Sequence, residues 1–284
     1  MKNLLVKLIF VVTILISFQV IMVEDSKAAC AESAPGVISQ VAVLASCQDE
    51  PTSYGIVIFK IYMCTAAPVA PTVVAPIDLS NCVETFSNTA GHSASLSTGI
   101  ATILSGTATR PANGTYTHGV VFMDNTFAIT AKKQFQIGQI GQVAGVGVHC
   151  ATANGAGTVT NLADTNDTTN CSNDANLAVG TYTETLASFD SPAFAATATG
   201  LNVAGTGANI TAHLVDADQN LAANSADVDK LYGIVEFADA VTITNSTSDI
   251  QISFNVSEGM NIDDGAGSMR FGSGPFQATI TVTP

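Results

Sequence analysis

Oxygen donors stand at coordinating intervals in Asp216-Ala217-Asp218-Gln219-Asn220 with Asp227, which fill positions 1, 3, 5 and 12 of a twelve-residue loop. At that spacing a loop wraps a calcium ion in carboxylate and amide oxygens. The match is partial. Leu221 stands at position 6, where the sharp turn takes Gly, and Asp227 is shorter than the bidentate Glu that closes a calcium loop. A plain acidic loop is the competing reading. Asn261-Ile262-Asp263-Asp264-Gly265 and Asp164-Thr165-Asn166-Asp167 are similar oxygen-rich turns, and Asx residues favour turn geometry without any metal.

The other reactive side chains are scattered. His92, His118, His149 and His213 form no His-Glu-x-x-His motif, so zinc hydrolysis has no local support. Gly91-His92-Ser93-Ala94-Ser95 lacks the second Gly of a nucleophile elbow, leaving a hydrolase only as a triad assembled in space. Gly141-x-x-x-Gly145-x-Gly147 lies within a strand-like run rather than between a strand and a helix. Tight packing or bulges explain it better than a phosphate loop.

The six cysteines, Cys30, Cys47, Cys64, Cys82, Cys150 and Cys171, have no pair closer than seventeen residues, which excludes a Cys-x-x-Cys zinc or redox motif. An even number in an exported chain implies three disulfides. Of fifteen possible connectivities, sequential pairing is expected, because Cys64 and Cys82 bracket a Pro-rich stretch and Cys150 and Cys171 a Gly/Asn/Thr/Asp stretch.

Export is read from the first 28 residues. Lys2 and Lys7 precede the apolar run Leu8 to Val23, and Ser26 and Ala28 fit cleavage after Ala28. The run would span roughly 24 Å as a helix, short of a ~30 Å bilayer core, so no membrane span is expected after cleavage. A lipid on Cys30 would leave an odd cysteine, and Lys27 stands where a lipoprotein site takes an apolar residue.

The whole chain of 284 residues carries 9 basic and 23 acidic residues, −14 in all. Removing residues 1–28 leaves 6 basic and 21 acidic, and fifteen of those acids follow Cys150. A polyanion would be repelled, so nucleic acid is excluded as a partner. With 47% hydrophobic and 11% charged residues, the chain is also no disordered polymer.

The elements that must position these groups are strands. Tyr54 to Met63 is apolar on both alternating faces, the pattern of a central strand. Tyr116 to Met123, Thr181 to Phe189, Val241 to Thr244, Ile250 to Val256 and Phe276 to Val282 alternate apolar with polar residues. Between them stand turn signals at Pro111 to Gly114, Asp124-Asn125, Gly205-Thr206-Gly207 and Asp263-Asp264-Gly265. Only Gly36 to Ser46 and Leu221 to Lys230 suggest short helices. The expected fold is an all-β, antiparallel β-sandwich over residues 29–284, disulfide-bonded, with a Gly/Asn/Thr-rich segment at 151–177. That segment reads as an insertion in one domain or as a linker between 29–150 and 178–284.

The last strand is the main candidate for assembly. Phe276, Ile280 and Val282 alternate with Gln and Thr, so the strand either closes its own sheet or serves as a donor strand in the next subunit. Thr-x-Thr repeats, as at 181/183/185 and 279/281/283, place hydroxyl rows on strand faces. Ice-binding surfaces use such rows, but β-propensity accounts for them without a ligand.

Cys47-x-x-x-Pro51-x-x-Tyr54, the β-rich run to Cys64, Cys82 and then Gly114-Thr115-Tyr116-Thr117-His118 resemble a group of uncharacterised secreted β-rich proteins of marine bacteria. The resemblance covers roughly residues 47 to 150. It implies export and β structure, and it carries no activity. The leading expectation is therefore a secreted or cell-surface structural or adhesive protein, monomeric or self-assembling, with no catalytic residue assigned. An extracellular module binding calcium, another cation or a surface glycan comes second and a secreted hydrolase third.

Overall fold

A computed structural model describes residues 28–97, 103–160, 169–201, 203, 207–264 and 267–283. Residues 1–27 of the segment read as an export signal, the expected 164–167 turn, Gly205-Thr206 and Gly265 lie outside the described residues. The described chain is nearly all β. In chain order its strands are β1 (Glu32–Ala34), β2 (Val37–Ile38), β3 (Cys47–Asp49), β4 (Ser53–Cys64), β5 (Cys82–Leu96), β6 (Thr107–Ala108) and β7 (Gly114–Asp124). Then come β8 (Thr126–Thr130), β9 (Lys132–Ile140), β10 (Val146–Thr152), β11 (Gly155–Val159), β12 (Thr169–Ser172) and β13 (Tyr182–Leu186). The last are β14 (Thr197–Thr199), β15 (Asn209–Val215), β16 (Lys230–Ile243), β17 (Asp249–Asn255), β18 (Met260–Asp263), β19 (Arg270–Ser273) and β20 (Gln277–Thr283).

β4 is the central strand its composition demands. Tyr54, Ile56, Ile58, Ile61 and Met63 are all buried, with a register shift between Ile58 and Lys60. Along one edge β4 pairs with β5 from Tyr54↔Leu96 to Cys64↔Cys82. Along the other it pairs first with β8 and then with β7. The Asp124-Asn125 signal therefore marks a bend and not a reversal. Asn125 is buried there, and its Nδ2 donates to the Leu186 carbonyl at 2.9 Å, which satisfies the amide inside the sheet.

The large sheet runs β11-β13-β8-β4-β7-β16-β15-β14, with β5 and β6 continuing from β4. Strands from before Cys150 are flanked in it on both sides by strands from after it, so residues 29–150 and 178–284 share one sheet. A second sheet orders β1-β2-β9-β10-β12, a third β19-β18-β3, and β17 pairs with β20 alone. Most pairs are antiparallel; β11–β13 and β2–β9 are parallel. The described parts of segment 151–177 are built into the sheets, as β11 in the large one and β12 in the second.

The layers pack face to face as a sandwich. Tyr54, Ile56, Ile58 and Ile61 share one core with Phe254, Val256, Met260, Ile262 and Phe271 from β17 to β19. Each such side chain contributes roughly 1.5–3 kcal/mol when fully buried. On the opposite face of the large sheet Ile77 and Leu79, from the loop closed by Cys64–Cys82, cover Val120, Val215 and Tyr232.

Among the described residues α-helix is confined to α1, Gln40–Leu44, where the Ser39 hydroxyl accepts from the Ala42 N–H. The helix expected over Leu221 to Lys230 does not form. The Asn224 carboxamide oxygen accepts from the Ala226 N–H, and the Asp229 N–H bonds to the Val215 carbonyl. Asx side chains that capture nearby backbone donors compete with helix, and Lys230 already opens β16.

Candidate functional site

The disulfides are sequential: Cys30–Cys47, Cys64–Cys82 and Cys150–Cys171. Two of them join directly opposed strand residues, Cys64↔Cys82 and Cys150↔Cys171, so strand pairing itself brings the sulfurs together. The Gly141/Gly145/Gly147 motif serves the third bridge. A Cβ on Gly145, which has φ +82°, or on Gly147 would overlap the backbone at Cys171 and Ser172. These glycines let β12 and the turn after β9 lie against each other, and no phosphate-loop geometry arises.

Asp216, Asp218 and Asn220 do share one turn after β15. One carboxylate oxygen of Asp216 accepts the N–H groups of Asp218 and Asn220, both at 2.9 Å. Asp227 accepts from the Asn224 amide at 2.6 Å. Asn220 forms a bridge with Pro76, and the Leu221 N–H donates to the Thr72 carbonyl, so the turn is fastened to the Cys64–Cys82 loop. Among the described residues no group of three or more His, Cys, Asp or Glu side chains is arranged to hold a metal ion. Asp263 sits at the end of β18 in an ion pair with Arg270 at 3.1 Å.

The histidines meet hydroxyls and backbone. His213 Nδ1 lies 2.9 Å from the Thr197 hydroxyl, His118 Nδ1 lies 2.8 Å from Thr117, and His92 Nδ1 accepts the Ser105 N–H. Ser95 in the Gly91 to Ser95 run pairs with Ser53 at 2.8 Å on extended strands. Thr-x-Thr positions pair hydroxyl to hydroxyl across β8 and β13, Thr126 with Thr185 and Thr130 with Thr181.

Strand register builds a row that no local motif announced. Thr197, His213, Tyr232, Phe122, Lys60 and Ser87 are successive cross-strand partners from β14 to β5. Tyr232 stacks on Phe122 at 4.5 Å and donates its hydroxyl proton to Gln219 at 2.6 Å. Burial raises the Tyr232 phenol above its usual range and lowers the His213 imidazole below its own. Lys60 pairs with Glu84 at 3.2 Å, and that hydrogen bond raises the lysine. Burial opposes ionisation of Glu84, but hydrogen bonds from Ser87 and Lys60 overcome it and hold the carboxyl below its ordinary value. Both partners are 40% exposed, so the pair is a weak surface bridge at the polar end of an aromatic row.

Glu184 is a further buried polar residue of the large sheet. Period two places it with Tyr182 and Leu186 on the buried face of β13, and its carboxylate accepts the Ser273 N–H at the end of β19. Asn261 donates to the Ser273 carbonyl at 2.7 Å and accepts from Gln48 at 3.0 Å. A buried polar seam thus ties the large sheet to the three-stranded one.

The assembly candidates fall in and beside β20, which pairs with β17 of its own chain from Asp249↔Thr283 to Asn255↔Gln277. Ile280 and Val282 pack on Tyr116, Val241 and Ile243. Phe276 sits among Tyr54, Phe127 and Phe254. On the other side of β17 a cleft of about 350 Å³ opens between that strand and β5–β6. Arg110 closes one end by donating to the Thr244 carbonyl at 2.7 Å. Comparison with protein-family models, curated proteins and solved structures finds no match to this chain, so its functional reading rests on this geometry.

Proposed function

We propose that the chain is an exported structural or adhesive domain of the cell surface that associates with further copies of itself. The observation that carries this reading is the disulfide set: all six cysteines are consumed in three bridges, two of them between directly opposed strand residues. Such bridges persist in an oxidising compartment and are reduced in the cytosol. The acidic surface favours solubility outside the cell, and the side chains singled out for chemistry mainly serve turns, strand pairs and ion pairs.

The test is location. An antibody raised against the oxidised domain is expected to stain intact cells or their extracellular material, with the six thiols blocked in protein recovered without reductant. Protein confined to the cytosol with free thiols would overturn the reading.

A further inference from the structure

We propose that the free edge of β17 is a dimer interface, pairing antiparallel with β17 of a second copy of this chain across a two-fold axis. This rests on the self-associating surface reading and names the interface that reading needs. Among the described residues β17 is hydrogen-bonded to β20 alone, and Ile250 of β17 packs with Ile280 and Val282 of β20 on β7 and β16. The opposite edge of β17 faces the cleft, whose apolar lining includes Met63, Phe86, Leu104, Ile250 and Ile252.

An unpaired edge is a template for another strand unless it is short, charged or broken by proline. Four outer strands of the larger sheets meet that condition by length: β14 and β1 have three residues each, β12 four, and β11 five with two glycines; β5 is long, but β6 pairs with its outer edge at Phe86 and Ser87 and Gly91, at φ +78°, interrupts it. β17 does not meet that condition. Asp249-Ile250-Gln251-Ile252-Ser253-Phe254-Asn255 is seven residues long and holds no Lys, Arg or Pro.

The same seven residues are self-complementary. With Ile252 on the axis, Asp249 faces Asn255 of the second copy, Ile250 faces Phe254 and Gln251 faces Ser253. Directly opposed residues point to one side of a sheet, so Ile250 and Ile252 of the two copies lie on the inner face beside the cleft, while each Phe254 stays in its own core. No like charges oppose each other. In a chain of net charge −14, this edge brings two copies together with a single carboxylate per strand, opposite an amide. The result is a four-stranded sheet, β20-β17-β17-β20, that closes as a pair and does not run on as a filament.

Sedimentation equilibrium on the oxidised protein without its first 28 residues is expected to show a reversible monomer–dimer equilibrium. Gln251→Lys with Ser253→Lys places lysine opposite lysine twice, and is expected to raise the dimer dissociation constant by at least about tenfold. Both side chains lie on the face turned away from the core, so the melting temperature is expected to hold. A second measurement protects against a misfolded variant. All native cysteines are bridged, so Gln251→Cys and Ser253→Cys proteins carry one free thiol each, and their mixture is expected to cross-link as a heterodimer with a short bismaleimide. A protein monomeric at every concentration overturns the proposal, as does a dimer that survives the lysine pair and fails to cross-link. Surface-located monomer would remove this interface and leave the structural role in place; cytosolic protein would remove the role itself.

Discussion

β4 and β17 are both apolar-alternating strands, yet they sit at opposite ends of a range of support. β4 has neighbours along both edges, a packed core on one face and the Cys64–Cys82 loop over part of the other. Among the described residues β17 has one strand neighbour, a partly covered face and a cleft. The bridges follow the same division, since they fasten β4 to β5 and β10 to β12 and anchor β3 to the preceding segment, and none touches β17 or β20. A two-stranded ribbon has little independent stability and depends on what it packs against. The contrast separates the bridged, doubly paired part of the fold from a ribbon with an unpaired edge among the described residues.

Reduction should have the largest effect. Each bridge closes a loop of 17 to 21 residues, which contributes about 3 kcal/mol in the chain-entropy model. The melting temperature is expected to fall steeply in reductant, with hydrogen exchange rising in β4 and β10. Exchange in β17 and β20 is expected to be fast beforehand and to change least. An unchanged melt would remove the bridges from the stability account. Exchange rising only in β17–β20 would reverse the comparison.

Single side chains sharpen it. Ile58 is fully buried, so Ile58→Ala is expected to cost roughly 2–5 kcal/mol in denaturant unfolding. Ile252 is half-buried at the cleft, and Ile252→Ala is expected to cost about 1 kcal/mol. Equal losses would mean that the β17–β20 layer is as integral to the core as β4.

The same difference decides what could be read from sequence. β4 announces itself because a strand covered on both faces must be apolar at odd and even positions, and Tyr54 to Met63 is. Sequential bridges are legible because each pair of cysteines brackets a short irregular stretch. Leu221 to Lys230 misleads because its periodicity is helical, while Asn224 bonds its own backbone. Cys150 to Leu177 looks like a loop by composition, yet Gly155–Val159 and Thr169–Ser172 are strands whose small residues allow close backbone approach. The row from Thr197 to Ser87 and the cleft beside β17 depend on register between segments far apart in the chain, which local pattern does not encode. Glu184 carried a signal of its own, a charge at a buried parity between Tyr182 and Leu186, which marks a carboxylate held by a partner inside the sheet.

The smallest effect is expected from His213, and it tests whether the large sheet has a weak point of its own. The imidazole is 4% exposed, and burial depresses its affinity for a proton in the folded state. The unfolded chain takes up that proton near pH 6.5, the ordinary value for histidine. Below that pH the unfolded state therefore binds more protons than the folded one, and stability falls as pH drops toward the folded-state value. Above it the term is constant. The melting temperature of the native protein is expected to decline between pH 7.5 and pH 5 by more than that of His213→Gln, the two curves running parallel above about pH 6.5 and converging below it. Losing the Thr197 contact lowers the variant's melt by the same amount at every pH above that point, so the two causes separate by shape. Parallel curves would show that His213 accepts its proton without leaving the sheet. The acid response would then arise among the carboxylates, with the β14–β16 end of the large sheet as robust as β4.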